Sequence, residues 1–172
     1  DEELENKNGI AICLGNIGVV FNEQGNVKEA LRYNKKTLKV FEELEDQRGI
    51  ASTLNNIGII YKKQFNYVES IFYLKKSLKI REEIGDKKGI ANSLINIGNI
   101  YKNQNKSGQA FTYYKNSLNI YEVIEDKSGI GNALENIGNI YFKHKNYEKS
   151  FIYYKKSLKI REEIGEKKGI AI

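Results

Sequence analysis

The 172-residue sequence contains no proline, no tryptophan and no methionine, and it has a single cysteine and a single histidine. Without proline, the strongest helix breaker is missing, which favours helices. Cys13 alone cannot form an internal disulfide, which fits a reducing, cytoplasmic compartment. His144 has no second histidine with which to share a metal or a proton. We therefore expect no enzyme, no metal site and no cofactor.

Long apolar runs are also absent, since no stretch approaches the ~18 apolar residues of a membrane span. The chain opens on Asp1-Glu2-Glu3 instead of a basic and then apolar leader, so we expect no signal peptide. The missing initiator methionine suggests a segment of a longer protein. The formal net charge of +6 favours acidic partners without deciding the matter.

The sequence instead contains a repeat with a period of 40 residues. Gly-Ile-Ala begins at 9, 49, 89 and 169, Gly-Ile-Gly begins at 129, and Asn-Ile-Gly recurs at 16, 56, 96 and 136. These motifs define four repeats over residues 9–48, 49–88, 89–128 and 129–168. Residues 1–8 resemble the end of a preceding repeat, and 169–172 resemble the start of a following one.

Each repeat is predicted to contain two helices, A and B, of about 17 residues. In repeat 2, Ile50, Leu54, Ile57 and Tyr61 follow the 3.6-residue helical period. Predicted N-caps of the A helices are Asn6, Asp46, Asp86 and Asp126, a pattern that Glu166 breaks. Gly85 and Gly165 suit the position after a helix end. Asn26 and Asn66, each three residues before a glutamate, predict starts of B helices.

These motifs resemble the tetratricopeptide repeat. Its helix A pattern is matched by Leu54-Ile57-Gly58-Tyr61, Leu94-Ile97-Gly98-Tyr101 and Leu134-Ile137-Gly138-Tyr141, and with one exchange by Leu14-Ile17-Gly18-Phe21. Its small helix B residues correspond to Ala30, Ser70, Ala110 and Ser150, followed by Thr37, Ser77, Ser117 and Ser157. Leucine replaces the usual tryptophan, and the closing proline of the 34-residue form is missing. The 40-residue form is similar to the spindle-orientation adaptors (the LGN/Pins family) and to bacterial signalling proteins and peptide-pheromone receptors.

The resemblance implies an all-α superhelical solenoid of antiparallel helix pairs, whose concave groove, lined by the A helices, binds a protein or peptide. One stripe of helix A would face the ligand. It comprises Ile12, Asn16, Val19 and Glu23 in repeat 1, then Ser52, Asn56, Ile59 and Lys63 in repeat 2. It continues with Asn92, Asn96, Asn99 and Asn103 in repeat 3, and with Asn132, Asn136, Asn139 and Lys143 in repeat 4.

Asparagine costs about 0.7 kcal/mol relative to alanine in a helix, so seven of them cost about 5 kcal/mol. Amides that pair with the main chain of an extended peptide would offset that cost. Alternatively, Asn16, Asn56, Asn96 and Asn136 bond to a neighbouring helix, or the composition is merely rich in asparagine. The apolar side chains of a peptide would lie over repeats 1 and 2. Its main chain and acidic groups would lie over repeats 3 and 4, near Lys102 and Lys143.

Other features admit different functions. Lysine clusters such as Lys75-Lys76-Lys79 could track phosphates, but each precedes paired glutamates on helix B, which favours a solvated outer face with i,i+4 ion pairs over nucleic acid binding. Neighbouring glutamates point about 100° apart on a helix, so they cannot flank one bond. Cys13, at the position of Thr53, Ser93 and Ala133, is predicted to be a small packed residue.

Self-association is the second function that the sequence allows. Neither end carries a polar capping repeat, and repeat arrays need such caps to remain soluble. Residues 1–8 and 169–172 resemble two halves of the same junction, so chains could stack head to tail.

Overall fold

The computed structural model describes residues 2–165, and that part of the chain contains eight α-helices and no strand. The helices are α1 (Glu2–Glu23), α2 (Val27–Glu43), α3 (Gln47–Lys63), α4 (Tyr67–Glu83), α5 (Lys87–Asn103), α6 (Ser107–Val123), α7 (Lys127–Lys143) and α8 (Tyr147–Glu163). Seven of them are 17 residues long, as the repeat predicts. Glu166 and the predicted repeat start at 169–172 lie outside the described residues.

The chain divides into two compact units, Asp1–Asp86 and Lys87–Ile172, of two repeats each. In the first unit, each helix packs on the next in the order α1, α2, α3, α4, and α1 also contacts α3. The second unit repeats this arrangement with α5, α6, α7 and α8, and α5 contacts α7. The odd-numbered helices are the predicted A helices, and the even-numbered ones are the B helices.

The helix starts confirm part of the capping prediction. Asp46 caps α3 by accepting hydrogen bonds from the backbone N–H groups of Arg48 and Gly49, at 3.0 and 3.1 Å. Asp126 accepts from Gly129 N at 2.9 Å, and Asn26 from Glu29 N at 3.3 Å. Asn66 occupies the N-cap position of α4, but its side chain makes no capping hydrogen bond. The prediction for Asn6 was wrong, because α1 begins at Glu2 and continues through it.

The turns after the helices use a left-handed residue. Gly85 and Gly165 have φ angles of +69° and +70°, which confirms their predicted place after α4 and α8. The equivalent position is also left-handed where the residue is Glu45, Phe65, Asn105, Glu125 or Lys145. The sequence pattern missed these five turns, because only glycine marks such a position by its residue type.

Close contact between A and B helices explains the recurring glycine and the small residues. A Cβ added at Gly58, Gly98 or Gly138 would lie 2.6 to 2.7 Å from a side-chain carbon of the paired B helix. Ser70 donates to the Gly58 carbonyl at 2.6 Å, and Ser150 donates to the Gly138 carbonyl at 3.1 Å. The small serines of helix B are therefore buried hydrogen-bond donors to helix A carbonyl groups, and do not only leave space for a neighbour.

Candidate functional site

The α1/α3 surface of the first unit presents apolar side chains of the predicted stripe. Ile12 and Val19 of α1 are 51% and 43% exposed, and Ile59 of α3 is half-buried. At the ends of the two helices, Lys63 Nζ lies 2.9 Å from a carboxylate oxygen of Glu23. The lysine of this stripe is thus already paired with an acid of the neighbouring helix.

On α5 of the second unit, two stripe asparagines accept hydrogen bonds from tyrosines of α6. The Tyr121 hydroxyl donates to Asn92 Oδ1 at 2.7 Å, and the Tyr114 hydroxyl donates to Asn99 Oδ1 at 2.8 Å. Tyr114 is completely buried and Tyr121 nearly so. Burial raises the pKa of both phenols, because the anion would lose its hydration. Both therefore remain neutral donors at neutral pH.

The same arrangement recurs between α7 and α8. The Tyr154 hydroxyl donates to Asn139 Oδ1 at 2.6 Å, and Arg161 Nη2 donates to Asn132 Oδ1 at 2.8 Å. The same Arg161 nitrogen lies 2.8 Å from a carboxylate oxygen of Glu135. Asn136 donates from Nδ2 to the main-chain oxygen of Asn132 at 3.0 Å, within its own helix.

These contacts assign a fixed orientation to four stripe amides. In Asn92, Asn99, Asn132 and Asn139, the oxygen is held by the B helix of the same repeat. An amide nitrogen carries two donors. Within residues 2–165, no hydrogen bond from Nδ2 of these four asparagines is found. In these four residues the amide oxygen is therefore bonded within the repeat, while the amide nitrogen has no hydrogen-bond partner among residues 2–165.

The remaining stripe residues differ in their surroundings. Asn16 and Asn103 are exposed, while Asn56, Asn96 and Lys102 are half-buried. Lys143 Nζ donates to Asn105 Oδ1 at 2.5 Å, so this lysine too has a partner in its own unit.

The sequence analysis missed the B helix residues that orient the stripe, although the repeats contain the signal. The B helix position of Tyr114 and Tyr154 holds Leu74 in repeat 2, and the stripe position of Asn99 and Asn139 holds Ile59 there. A tyrosine thus accompanies an asparagine, and a leucine accompanies an isoleucine. Comparing these two positions across the repeats would have predicted the contact between the tyrosine and the asparagine.

Cys13 requires a correction, because it is exposed and not packed. The equivalent Thr53, Ser93 and Ala133 are buried. Thr53 lies one turn after Gly49, the residue of α3 that lies against Phe41 of the preceding helix α2. Within the described part of the first unit, no helix precedes α1, so the same face of α1 remains open.

The other predicted surfaces can be placed as well. The lysines of the B helix clusters are exposed, and Lys79 and Lys39 lie 3.8 and 3.9 Å from Glu83 and Glu43. Within residues 2–165 there is no group of three or more His, Cys, Asp and Glu side chains that could hold a metal ion. No helix in that range is long and apolar enough to cross a membrane.

Solved structures share this fold at low sequence identity. The aspartyl phosphate phosphatase F of Bacillus subtilis is 15% identical with a TM-score of 0.88, over 94% of this chain and 42% of that protein. A Rap protein complexed with competence and sporulation factor is 18% identical with a TM-score of 0.81, over 95% of this chain and 44% of that one. A signal transduction ATPase from Pyrococcus horikoshii with a tetratricopeptide repeat sensor is 22% identical with a TM-score of 0.81, over 93% and 25%.

The chain thus spans less than half the length of each of these three proteins. No curated protein matches the sequence significantly. The family model of the tetratricopeptide repeat matches residues 9–83, 49–122 and 89–163, which together cover both units. Helix pairs, close-approach glycines and buried small residues agree with this match. The chain belongs to the tetratricopeptide repeat family.

Proposed function

We propose that this chain is an interaction scaffold, which binds a partner polypeptide in extended form on the exposed stripes of its A helices. The observation that carries the proposal is the orientation of the stripe amides of α5 and α7. Their oxygens are held by Tyr114, Tyr121, Tyr154 and Arg161, while their nitrogens can donate. Main-chain carbonyl groups and carboxylates are the acceptors that a polypeptide offers to such donors.

Pre-oriented amides suit this task because binding need not order them. Immobilising a side chain on association costs about 0.5–1.5 kcal/mol. In α5 and α7 that cost has been met during folding, by hydrogen bonds of 2.6 to 2.8 Å. The apolar stripe of α1 and α3 would contact apolar side chains of the partner. The Rap protein complexed with competence and sporulation factor shows that a chain of similar fold forms a complex.

The donors can be tested without disturbing the fold. Substituting Asn99 and Asn139 by aspartate preserves the oxygen that accepts from the tyrosine and removes the donating nitrogen. The matched control is Asn116→Asp with Asn119→Asp, which adds the same two charges at exposed positions of α6. A displayed library of random peptides would be selected on the unsubstituted chain and on both variants.

We expect peptides that bind the unsubstituted chain and the N116D/N119D control but not N99D/N139D. Equal recovery on all three proteins would contradict the proposal. The asparagines would then serve only to bond the A and B helices together.

A second function, head-to-tail association of chains, is favoured by apolar faces on α1 and α8. Ile10, Ile17 and Val20 of α1 are 47%, 39% and 55% exposed. Phe151 and Leu158 of α8 are 61% and 37% exposed. At the packed α2/α3 and α6/α7 contacts, the equivalent residues are mostly covered, so the two faces are those that join successive repeats.

Sedimentation over a range of concentrations tests this association. We expect the weight-average mass to rise with concentration, and to stay at the monomer value in the Phe151→Lys, Leu158→Lys variant. A mass that is independent of concentration would contradict head-to-tail association.

A further inference from the structure

A groove lies between α6 and α8 of the second unit, and α7 forms its floor. Both helices pack on α7, and within residues 2–165 they do not pack on each other. The groove has a volume of about 400 Å³, within the range of about 300–1,000 Å³ for pockets that hold small ligands. Four aliphatic side chains line it, namely Leu118, Ile130, Leu134 and Ile160. The groove can therefore receive an apolar group.

The groove and the stripe asparagines lie on opposite sides of α7. Ile130 stands two positions before Asn132 and Leu134 two positions after it, and successive residues of an α-helix are rotated by about 100°. Both aliphatic residues therefore lie about 160° around the helix from Asn132. Asn136 and Asn139 share the face of Asn132, so a ligand in the groove is separate from a ligand on the stripe. A site in the groove thus goes beyond the proposed function.

Charged side chains of α6 and α8 border this apolar surface. Glu122 of α6 and the exposed Lys156 and Lys159 of α8 line the groove. Among residues 2–165, no oppositely charged group lies within 4.0 Å of any of the three. The Lys156 ammonium lies 5.7 Å from the centroid of the Tyr153 ring, which also lines the groove. Two ammonium groups thus stand beside the aliphatic floor, where they can meet a carboxylate.

Glu163 also lines the groove, and its ion pair differs from that of its counterpart in α4. Both helices end in the same nine residues. In α4, the counterpart Glu83 lies 3.8 Å from Lys79 of the same helix. In α8, Glu163 lies 2.8 Å from Lys127 of α7, whereas the first unit has Gln47 at the position of Lys127. Lys127 thus neutralises the acid of the groove and leaves the lysine equivalent to Lys79 without it.

We propose that the groove binds a partner polypeptide through an aliphatic side chain next to a carboxylate, as in a C-terminal leucine. The side chain would pack on the aliphatic floor, and the carboxylate would pair with Lys156 and Lys159. Glu122, on the α6 border, would accept a hydrogen bond from a main-chain N–H group of the same segment. The lysines complement the charge of such a segment, and the branched aliphatic lining matches its side chain.

The free probe N-acetyl-leucine carries the side chain, the carboxylate and the amide in one molecule. N-acetyl-leucinamide is the matched probe without the charge, and N-acetylglycine is the matched probe without the side chain. In NMR titrations, we expect N-acetyl-leucine to bind about 5-fold more tightly than N-acetyl-leucinamide and about 10-fold more tightly than N-acetylglycine. Methyl resonances of Leu118, Ile130, Leu134 and Ile160 should shift. Equal affinities, or unshifted methyl groups, would overturn the proposal.

Variants at exposed lysines test the charge without disturbing the core. In Lys156→Gln with Lys159→Gln, we expect N-acetyl-leucine to bind no more tightly than N-acetyl-leucinamide. Lys127→Gln copies the first unit and should lower the affinity for N-acetyl-leucine about 3-fold, because Glu163 is then available to Lys159. Unchanged affinity in the folded double variant would place the probe elsewhere and contradict the assignment.

Lys145→Gln is the matched control for the loss of one positive charge. Lys145 is exposed and follows the opposite end of α7 from Lys127. The length of the helix separates the two by about 24 Å, which exceeds the screening length of about 10 Å at 0.1 M salt. We therefore expect unchanged affinity for N-acetyl-leucine. An equal fall in K127Q and K145Q would contradict the effect of Lys127 on the groove.

Isocaproate separates a polypeptide from a fatty acid as the ligand, since it has the side chain and carboxylate of leucine without the amide. We expect weaker binding of isocaproate than of N-acetyl-leucine, because no N–H group meets Glu122. Equal or tighter binding of isocaproate would overturn the assignment to a polypeptide.

The N99D/N139D variant separates this inference from the proposed function. It should bind N-acetyl-leucine as the unsubstituted chain does, because the stripe and the groove lie on opposite sides of α7. Loss of that binding would contradict a separate site. If N-acetyl-leucine binds as expected but no peptide depends on Asn99 and Asn139, the groove is a binding site and the proposal for the stripe fails.

Discussion

At the scale of single residues, the helix contacts depend on a few positions where a methyl group or a hydroxyl decides the packing. A Cβ at Gly98 would lie 2.6 Å from a ring carbon of Tyr114, which is itself completely buried. The Tyr114 hydroxyl donates to Oδ1 of Asn99, the residue that follows Gly98 in α5. One glycine, one tyrosine and one asparagine thus form a single contact between α5 and α6.

Substituting Gly98 by alanine should lower the free energy of unfolding by about 1–2 kcal/mol, because overpacking outweighs the gain in helix propensity. The matched control is Gly108→Ala in the first turn of α6, where nothing lies within 4 Å of an added Cβ. That variant should be neutral or more stable. Urea unfolding of both measures the difference, and a stable G98A variant would show that the tyrosine moves freely.

Tyr114 also predicts a pH dependence. Its pKa is raised by burial, so the folded chain keeps the proton where an unfolded tyrosine, with a pKa of about 10, loses it. The contribution of Tyr114 to the free energy of unfolding is fully present below pH 10, and it is lost as the pH rises above 10. Tyr114→Phe should cost about 1 kcal/mol at pH 8, and its disadvantage should shrink by about 1.4 kcal/mol per pH unit above 10. Urea unfolding between pH 8 and 11 tests this.

The exposed Tyr147 supplies the control for the loss of a phenol, since Tyr147→Phe removes no hydrogen bond that the structure shows. Parallel alkaline curves for Y114F and Y147F would contradict a particular role for the buried hydroxyl.

At the scale of helices and turns, each helix end is set by local chemistry that is repeated with different residues. After α2, the chain turns through Glu45 with a φ of +53°, whereas the equivalent residue after α4 is Gly85 with a φ of +69°. A residue with a Cβ pays about 1–2 kcal/mol for this conformation. Helix packing on both sides maintains the turn even where glycine is missing.

Replacing Glu45 by glycine should therefore raise the free energy of unfolding by about 0.5–1 kcal/mol, the relief of strain less the entropy of glycine. Glu42→Gly, inside α2 and also exposed, should lower it by about 1 kcal/mol. Thermal unfolding of the two variants compares the same substitution in two backbone conformations. A destabilised E45G would mean that the glutamate side chain has an unrecognised contact.

At the scale of the whole molecule, equivalent residues of different repeats are buried to different extents. Ile57 and Ile60 of α3 are 1% exposed, while Ile17 and Val20 at the equivalent positions of α1 are 39% and 55% exposed. The residues are as apolar in α1 as in α3, so burial is decided by whether another helix lies alongside. The proposed head-to-tail association rests on an open apolar face of this kind.

Cys13 lies on that face of α1, so the reactivity of its thiol shows whether the face is covered. In dilute solution, we expect its exposed thiol to react fully with a disulfide reagent. If chains associate through this face, the reaction rate should fall by more than 10-fold at concentrations where the mass rises. The Phe151→Lys, Leu158→Lys variant should react at one rate at all concentrations. A constant rate in an associating, unsubstituted chain would place the contact elsewhere.

Most of the fold could be predicted from the sequence, because the relevant physics is local and repeated. Apolar spacing defines the helices, glycine and small residues mark the close contacts, and Asp46 and Asp126 cap helices through neighbouring N–H groups. The prediction for Asn6 failed because no local signal located the start of α1. An asparagine can stand at the start of a helix or inside one, and the residue type does not distinguish the two.

The sequence predicts the positions of the stripe residues, but it does not predict the hydrogen bonds that orient their amides. Helical spacing alone places Asn92 and Asn99 on one face of α5, whereas the direction of these amides and of Asn139 in α7 depends on a tyrosine that is 15 or 29 residues away. The exposure of Cys13 has the same origin, since it depends on whether a neighbouring helix lies beside it. The period of the sequence therefore determined the helices and their order, and only tertiary packing decided which polar atoms are hydrogen-bonded within a repeat.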